Sequence, residues 1–249
     1  MLQSRGSFFS SIPTVTKNLL IINILMWLAS VVLPSALGID LVKYLGLHYW
    51  EASGFNVAQL VTYMFMHDTS GITHLFFNMF SLFIFGRVLE NVWGQKRFLF
   101  YYLSTGIGAA IIQEIVWMAT WQDMFAKMFA NMGGLSITEA HEQISYYMAM
   151  GKDIPALNSL ITVGASGAVF GILLAFGMMF PNAPMYLMFI PVPIKAKYLV
   201  IGYGAIELFF GVSGIQGSVA HFAHLGGMLF GLIILLYWKR KGILGGRNF

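Results

Sequence analysis

The segment NSLITVGASGAVFGILLAFGMMF, residues 158–180, is largely apolar and carries no charged side chain. A bilayer core needs about 20 mostly apolar residues per helix, so this composition predicts a membrane-spanning helix. Gly164, Gly167 and Gly171 recur at helical spacing and form a smooth stripe. Stripes of small residues let membrane helices pack closely. Ser166 lies beside this stripe and has two interpretations, a small packing residue or a nucleophile.

The whole chain has the composition of a membrane protein. Of its 249 residues 58% are hydrophobic and 10% are charged, and the mean hydropathy is +0.74. Soluble domains carry about 25% charged residues. We therefore predict an all-α, polytopic membrane protein with six transmembrane helices in one bundle. The predicted spans are 18–37, 72–92, 97–119, 158–180, 197–213 and 218–238. We expect the first to be retained as a helix, because it is too long for a typical signal-peptide core and no A-x-A site follows it.

The basic residues predict the orientation. Most of the 14 lysines and arginines lie before the first predicted helix, in the second-to-third and fourth-to-fifth connections, and in the tail. Because cytoplasmic loops are enriched in lysine and arginine, we expect both termini in the cytoplasm. The domain prediction is a cytoplasmic segment at 1–17, a membrane domain at 18–238 and a basic cytoplasmic tail at 239–249. We expect a lipid bilayer around the chain, a bacterial inner membrane as its location, and no nucleic-acid partner.

Two connections on the outer side are long. The first covers roughly 38–71 and is expected to lie at the membrane interface. The second covers roughly 120–157 and contains apolar residues at helical spacing, followed by a second helical stretch with Thr138 as its predicted cap.

His74 and Asn78, at the start of the second predicted helix, are four positions apart and share a face. One interpretation is that they join helices by hydrogen bonds. The other is a pair of donors directed at a developing oxyanion. By the predicted orientation they lie at the outer end of their helix, at the same depth as Ser166.

The last predicted helix opens with AHFAHLGGMLFG, in which His224 lies on the same face as Gly227 and Gly231. His221 is one turn further out on that face. A single histidine inside a membrane is often a structural hydrogen-bonding residue. A serine, a histidine and further donors at one depth on three helices are also the groups that acyl transfer needs.

Four motifs together resemble those of the rhomboid intramembrane serine proteases. They are H-x-x-x-N at 74–78, E-x-x-x-G-x-x-R at 90–97, GASG at 164–167 and AHLGG at 223–227. Each is weak alone, but they occur in order across the predicted spans. The resemblance extends over most of residues 60–238.

The resemblance implies an all-helical membrane bundle with a Ser–His catalytic dyad. Ser166 would be the nucleophile and His224, which immediately precedes x-G-G, the general base and then acid. His74, Asn78 and the backbone N–H of Ser166 would line the oxyanion hole. The implied activity is cleavage of single-pass transmembrane proteins near their outer membrane boundary, with no metal or organic cofactor. The oligomeric state is left open.

Two features concern the surroundings of the dyad. Family members often carry a tyrosine stacked on the histidine, where this chain has Phe170, whose ring can stack but has no hydroxyl. No aspartate or glutamate is evident as a third member of a triad. Glu114 and Glu207 are isolated in the sequence, and we interpret them as neutral or hydrogen-bonded packing residues.

Other classes of protein fit the sequence less well. The stretch HEQIS at 141–145 begins like a zinc motif, but Ser145 stands where the second histidine ligand would be. An aspartyl protease needs two membrane carboxylates that act together, whereas Glu114 and Glu207 are isolated in the sequence. A thiol enzyme is excluded because the chain has no cysteine. A transporter would show broken helices in repeats, which are not evident. The remaining alternative is a non-catalytic rhomboid-like protein that binds membrane helices.

Overall fold

The computed structural model describes residues 11–151, 154–186, 192–213 and 220–244, and this part of the chain is mostly helical. The α-helices are α1 Thr14–Leu37, α2 Leu41–Leu45, α3 Gln59–Thr62, α4 Thr73–Ser81, α5 Arg87–Trp93, α6 Gln95–Gly133, α7 Ile137–Ala149, α8 Ser166–Met179, α9 Ala196–Ser213 and α10 His221–Arg240. Short 3₁₀ turns lie at Tyr63–Phe65 and Pro155–Ser159, and a π-helical turn at Leu82–Gly86 joins α4 to α5.

Among the described residues, five helical segments are long and apolar enough to cross a membrane. They are Thr14–Leu37, Thr73–Trp93, Gln95–Gly133, Ala196–Ser213 and His221–Arg240. The prediction of a mostly helical membrane protein is confirmed. The fourth predicted span, 158–180, contains α8, an apolar helix of only 14 residues. The count of six spans therefore stays a prediction.

The centre of the described fold consists of α6, α8 and α10, which pack against one another. The glycine stripe on α8 explains this close approach. A Cβ atom built on Gly227 of α10 would overlap the carbonyl oxygen of Gly167 of α8. Only glycine fits at this crossing, so the small residues do contribute to packing, as one interpretation of the sequence holds.

The glutamate of the E-x-x-x-G-x-x-R motif has a structural partner at the other end of the bundle. Glu90 accepts hydrogen bonds from the backbone N–H groups of Val15 (2.9 Å) and Thr16 (2.7 Å) and from the Thr16 hydroxyl (2.8 Å). These are N–H groups of the first turn of α1, which have no partner within the helix. Gly94 then ends α5 in a positive-φ conformation, φ 81°, and α6 begins at the next residue.

The connection at 120–157 differs from its prediction. The third predicted span ended at 119, but α6 continues to Gly133, because Trp121 and Phe125 remain buried along it. The prediction that Thr138 caps the following helix is wrong. Ser136 caps α7 instead, in a reciprocal hydrogen-bonded arrangement with Glu139 that satisfies the first N–H groups of the helix.

The connection at 38–71 packs into the protein and contains a strand that an all-α prediction does not include. This strand, β1 (Leu47–His48), pairs antiparallel with β2 (Ile161–Thr162) just before α8. Leu47, Tyr49 and Met64 of the connection are almost fully buried. A second antiparallel pair, β3 (Pro184–Tyr186) and β4 (Pro193–Lys195), lies between α8 and α9. The pairing of β1 with β2 anchors the chain that leads to Ser166.

Candidate active site

Ser166 is the first residue of α8, and Gly164 determines where this helix begins. Gly164 has φ +130°, a conformation that side-chain-bearing residues rarely adopt, so a helix cannot run through it from 158. Its backbone N–H donates to the carbonyl of Tyr63 (3.0 Å). Ser166 therefore lies at a helix N-terminus, where backbone N–H groups lack helical partners and negative charge is favoured.

Ser166 and His224 are in direct contact. The Ser166 Oγ lies 2.7 Å from His224 Nε2, a hydrogen-bond distance between a hydroxyl and an imidazole nitrogen. The two side chains come from α8 and α10, which the glycines hold close together. An imidazole nitrogen in this position can take the hydroxyl proton and so activate the oxygen as a nucleophile.

Phe170, one turn after Ser166, covers one face of the His224 imidazole. The two ring centres are 4.3 Å apart and the planes differ by only 6°. Stacking of this kind restricts rotation of the histidine about its side-chain bonds. The other side of Phe170 meets the ring of Tyr203 on α9, edge to face at 6.3 Å.

His74 is held with one particular nitrogen toward the serine. The backbone N–H of Asp68 donates to His74 Nδ1 (3.2 Å), so the proton of a neutral ring is on Nε2. A Cβ atom on Gly164 would lie 2.9 Å from His74 Cε1 and 3.0 Å from Nε2. The N–H edge of the ring therefore lies against Gly164, two residues from Ser166. Asp68 itself is held by Ser70, whose hydrogen bonds lower the pKa of the Asp68 carboxyl.

Asn78 lies one turn after His74 on α4 and is buried. Its Nδ2 donates to the backbone carbonyl of His74 (2.9 Å), which uses one of the two amide hydrogens. Ser166, His224, His74, Asn78 and Phe170 all line one cavity of about 1530 Å³. The structure thus brings the five predicted site residues together around the same space.

His67 lies in the same cavity and was not among the predicted site residues. Its side chain is fully buried, and its ring centre is 5.1 Å from that of His74. Burial, and to a lesser extent His74, lowers the pKa of His67 to about 3, so the ring stays neutral at ordinary pH. In the sequence, a single histidine before the H-x-x-x-N motif carried no signal of this contact.

Glu207 is not isolated, as the sequence suggested, but reaches both histidines of α10. Its Oε2 lies 2.6 Å from His221 Nδ1 and 3.0 Å from His224 Nδ1. The second contact has an ion-pair distance but not the alignment of a full hydrogen bond. Glu114, in contrast, accepts the backbone N–H of Trp50 (3.0 Å), which fits its interpretation as a hydrogen-bonded packing residue.

The donor atoms of Glu207, His221 and His224 lie within 4.8 Å of one another, which is close enough to hold a metal ion. In the described part of the chain this is the single cluster with that property. The shared carboxylate oxygen already contacts both imidazoles, so an ion here would have to replace these contacts. His141 of the HEQIS stretch lies on α7 and pairs with Asp123 of α6 at 2.7 Å.

Comparison with known proteins identifies the family. The family model described as the Rhomboid domain matches residues 54–241, which is most of the chain. The chain belongs to the rhomboid family. The four motifs noted in the sequence all lie within the matched region, so the predicted resemblance is confirmed.

Curated rhomboid relatives match at low identity. Rhomboid protease AarA of Providencia stuartii is 28% identical over 183 residues, covering 69% of this chain and 52% of the relative. Rhomboid protein 1, mitochondrial, of Saccharomyces cerevisiae is 28% identical over 160 residues, covering 64% and 36%. The putative rhomboid protease YdcA of Bacillus subtilis is 30% identical over 114 residues, covering 46% and 37%. This rhomboid chain spans about half or less of the length of these relatives.

The rhomboid motifs divide into two groups in the structure. GASG, H-x-x-x-N and AHLGG converge on the cavity that contains Ser166 and His224. The E-x-x-x-G-x-x-R element instead caps α1 through Glu90, away from the cavity. The protein is thus a membrane-embedded member of a family that includes proteases, with one set of motif residues at the candidate site and one that supports the fold.

Proposed function

We propose that this rhomboid is an intramembrane serine endopeptidase that cleaves transmembrane segments of single-pass membrane proteins. The observation that carries the proposal is the 2.7 Å contact between Ser166 Oγ and His224 Nε2, inside a cavity lined by further hydrogen-bond donors. A membrane-embedded hydroxyl paired with a base has a direct use in acyl transfer. A packing role alone gives no reason for this pairing.

In the proposed mechanism, Ser166 Oγ attacks the carbonyl carbon of the scissile peptide bond while His224 Nε2 accepts its proton. The carbonyl oxygen becomes an oxyanion, which accepts hydrogen bonds from His74 Nε2, the free amide hydrogen of Asn78 and the backbone N–H of Ser166. His224 then donates its proton to the leaving amine as the C–N bond breaks. Water attacks the resulting ester with His224 again as base, which releases the acid product and restores Ser166.

The environment of the site supports this mechanism electrostatically. The oxyanion would form beside the N-terminus of α8, where unpaired N–H groups and the helix dipole favour negative charge. His74 would act as a neutral donor, because Asp68 occupies its Nδ1 and leaves the proton on Nε2. Phe170 would hold the imidazole of His224 in the plane that both proton transfers require.

The location and topology form part of the proposal. We propose six spans in a membrane domain at 18–238, with α8 as the fourth span in chain order. We propose cytoplasmic segments at 1–17 and 239–249 and a bacterial inner membrane as the location. Because the chain has no cysteine, single cysteines at Glu142 and Lys241 can be labelled selectively. Labelling from opposite sides of sealed vesicles is expected. Labelling of both from the same side would contradict the orientation.

The protease proposal is tested with a single-pass membrane substrate in proteoliposomes. Wild-type protein should yield two fragments, and their masses should place the cut near one membrane boundary. Ser166→Ala should yield none. The competing function, a rhomboid-like protein that binds membrane helices without cleaving them, predicts co-purification of the intact substrate and no fragments from either protein.

A further inference from the structure

Glu207 occupies a position that the Ser–His mechanism leaves unexplained. It projects from α9 toward α10, and its side chain is only 12% exposed. Buried charges are costly unless they are paired, so a carboxylate in a membrane protein needs a strong reason to be there. Here the paired groups are the Nδ1 atoms of His221 and His224, both within 3.0 Å of one oxygen, Oε2.

We infer that Glu207 is a positioning residue that holds His224 in the correct tautomer and orientation for proton transfer at Ser166. This inference rests on the proposed protease activity and adds a third group to the dyad. A carboxylate beside Nδ1 favours a proton on that nitrogen. The lone pair of the neutral imidazole is then on Nε2, the atom that lies 2.7 Å from Ser166 Oγ.

The carboxylate also matters when charge develops. Once His224 has taken the serine proton, its ring is a cation in a membrane environment of low polarity. A fixed negative charge 3.0 Å from Nδ1 stabilises that cation without any rearrangement. The incomplete alignment in the resting state is compatible with this role, because hydrogen bonds of an active site often tighten only when charge develops.

His221 has a separate part in this arrangement. It lies one turn before His224 on α10, and its 2.6 Å contact fixes the Glu207 carboxylate between the two helices. The His221 ring in turn packs against Phe210 of α9, with ring centres 5.6 Å apart. A purely structural interpretation follows from the same contacts, namely that Glu207 and His221 only join α9 to α10. The two interpretations differ in what removal of the charge does to turnover.

The test compares Glu207→Gln with Glu114→Gln, the same carboxyl-to-amide substitution at a membrane glutamate that does not line the cavity. Loss of a charge-assisted contact to the base should lower kcat of Glu207→Gln about 10- to 100-fold with little change in KM. Glu114→Gln should keep the wild-type kcat. Glu207→Asp, which keeps the charge one methylene further back, should recover part of the lost kcat. Each variant is first checked for thermal stability in detergent.

A second measurement does not depend on turnover. Nitrogen NMR of ¹⁵N-histidine-labelled protein reports which ring nitrogen carries the proton. The His224 signal is assigned as the one that disappears when His224→Ala is introduced. This assignment is made in protein that also carries Ser166→Ala. Wild-type protein should show His224 protonated on Nδ1, and Glu207→Gln should shift the population toward the Nε2-protonated form. An unchanged His224 signal would overturn the proposal.

The outcomes separate this inference from the proposed function. If wild type cleaves, Ser166→Ala does not, and a folded Glu207→Gln keeps kcat within about twofold of wild type, the positioning role is overturned and the protease remains. A loss of thermal stability in Glu207→Gln with unchanged kcat would likewise leave only the structural role. If wild type does not cleave, the proposed function fails, and the NMR comparison alone decides whether Glu207 sets the His224 tautomer.

Discussion

Gly164→Ala should damage the site although it replaces none of the proposed catalytic side chains. The new Cβ would lie 2.9 Å from His74 Cε1, whereas carbon atoms in contact prefer about 3.5–4.0 Å. The His74 ring must therefore retreat by roughly 0.5 Å or more, which is the tolerance within which active-site groups must be held. Loss of one oxyanion donor lowers kcat about 10²–10³-fold, which corresponds to ~3–4 kcal/mol of transition-state stabilisation. We expect kcat to fall by about 10²-fold while KM changes little.

The same substitution has a second, separable effect on stability. At φ +130° an alanine is strained, and such positions cost about 1–3 kcal/mol each, which should lower the thermal midpoint. The assay is steady-state cleavage of a single-pass substrate in proteoliposomes, at a temperature where each protein is folded. Gly202→Ala is the control, because a Cβ there meets open space. A folded Gly164→Ala protein with wild-type kcat would refute the placement of His74 as an oxyanion donor.

Three further predictions concern the imidazoles and the outer helices. His224→Ala should abolish cleavage, whereas His221→Ala should leave clear activity, because only His224 contacts Ser166; equal losses would contradict the single-base mechanism. Phe170→Tyr should be tolerated and Phe170→Ala should lower kcat about 2- to 10-fold, since stacking contributes ~0.5–1.5 kcal/mol; normal turnover in the alanine variant would show that the ring only packs. The hydrogen bonds to Asp123 and then to the Ile137 carbonyl raise the pKa of His141, so this contact between α6 and α7 is fully present below about pH 6.5 and is lost as pH rises through the raised pKa. Limited proteolysis of the turn between α6 and α7 should therefore accelerate with pH more in wild type than in His141→Asn. Identical pH profiles of the two proteins would show that the His141–Asp123 pair does not stabilise this turn.

Most membrane helices are predictable from this sequence because a bilayer demands long apolar runs, and such runs are visible without any tertiary information. The pairing of Ser166 with His224 is also predictable, but through the resemblance of their motifs to those of the rhomboid family, because glycine spacing alone fits a packing role equally well. The prediction from the sequence is wrong about the residue at which α8 begins. The apolar run begins at 158, but the positive φ of Gly164 and the pairing of β1 with β2 delay the helix until Ser166.

The environment of His224 is less accessible to sequence reasoning, because it depends on how helices meet. Glu207 looks like an isolated glutamate until α9 packs beside α10 and brings its carboxylate to Nδ1. The tautomer of His74 depends in the same way on a backbone N–H, that of Asp68, which no side-chain pattern reveals. The extension of α6 to Gly133 accompanies the burial of Trp121 and Phe125, which depends on tertiary packing and is not visible in the apolar run itself.

The central claim is that Ser166 and His224 act as one catalytic unit, and its most direct test is the cleavage rate of three variants. Ser166→Ala, His224→Ala and the double variant are compared with wild type on one membrane substrate, after each is shown to be folded by thermal stability in detergent. Because a base without its nucleophile does nothing, each single substitution should cost about as much as both together. A folded Ser166→Ala protein that cleaves at the wild-type rate would contradict the claim and leave Ser166 as a small residue where two helices meet.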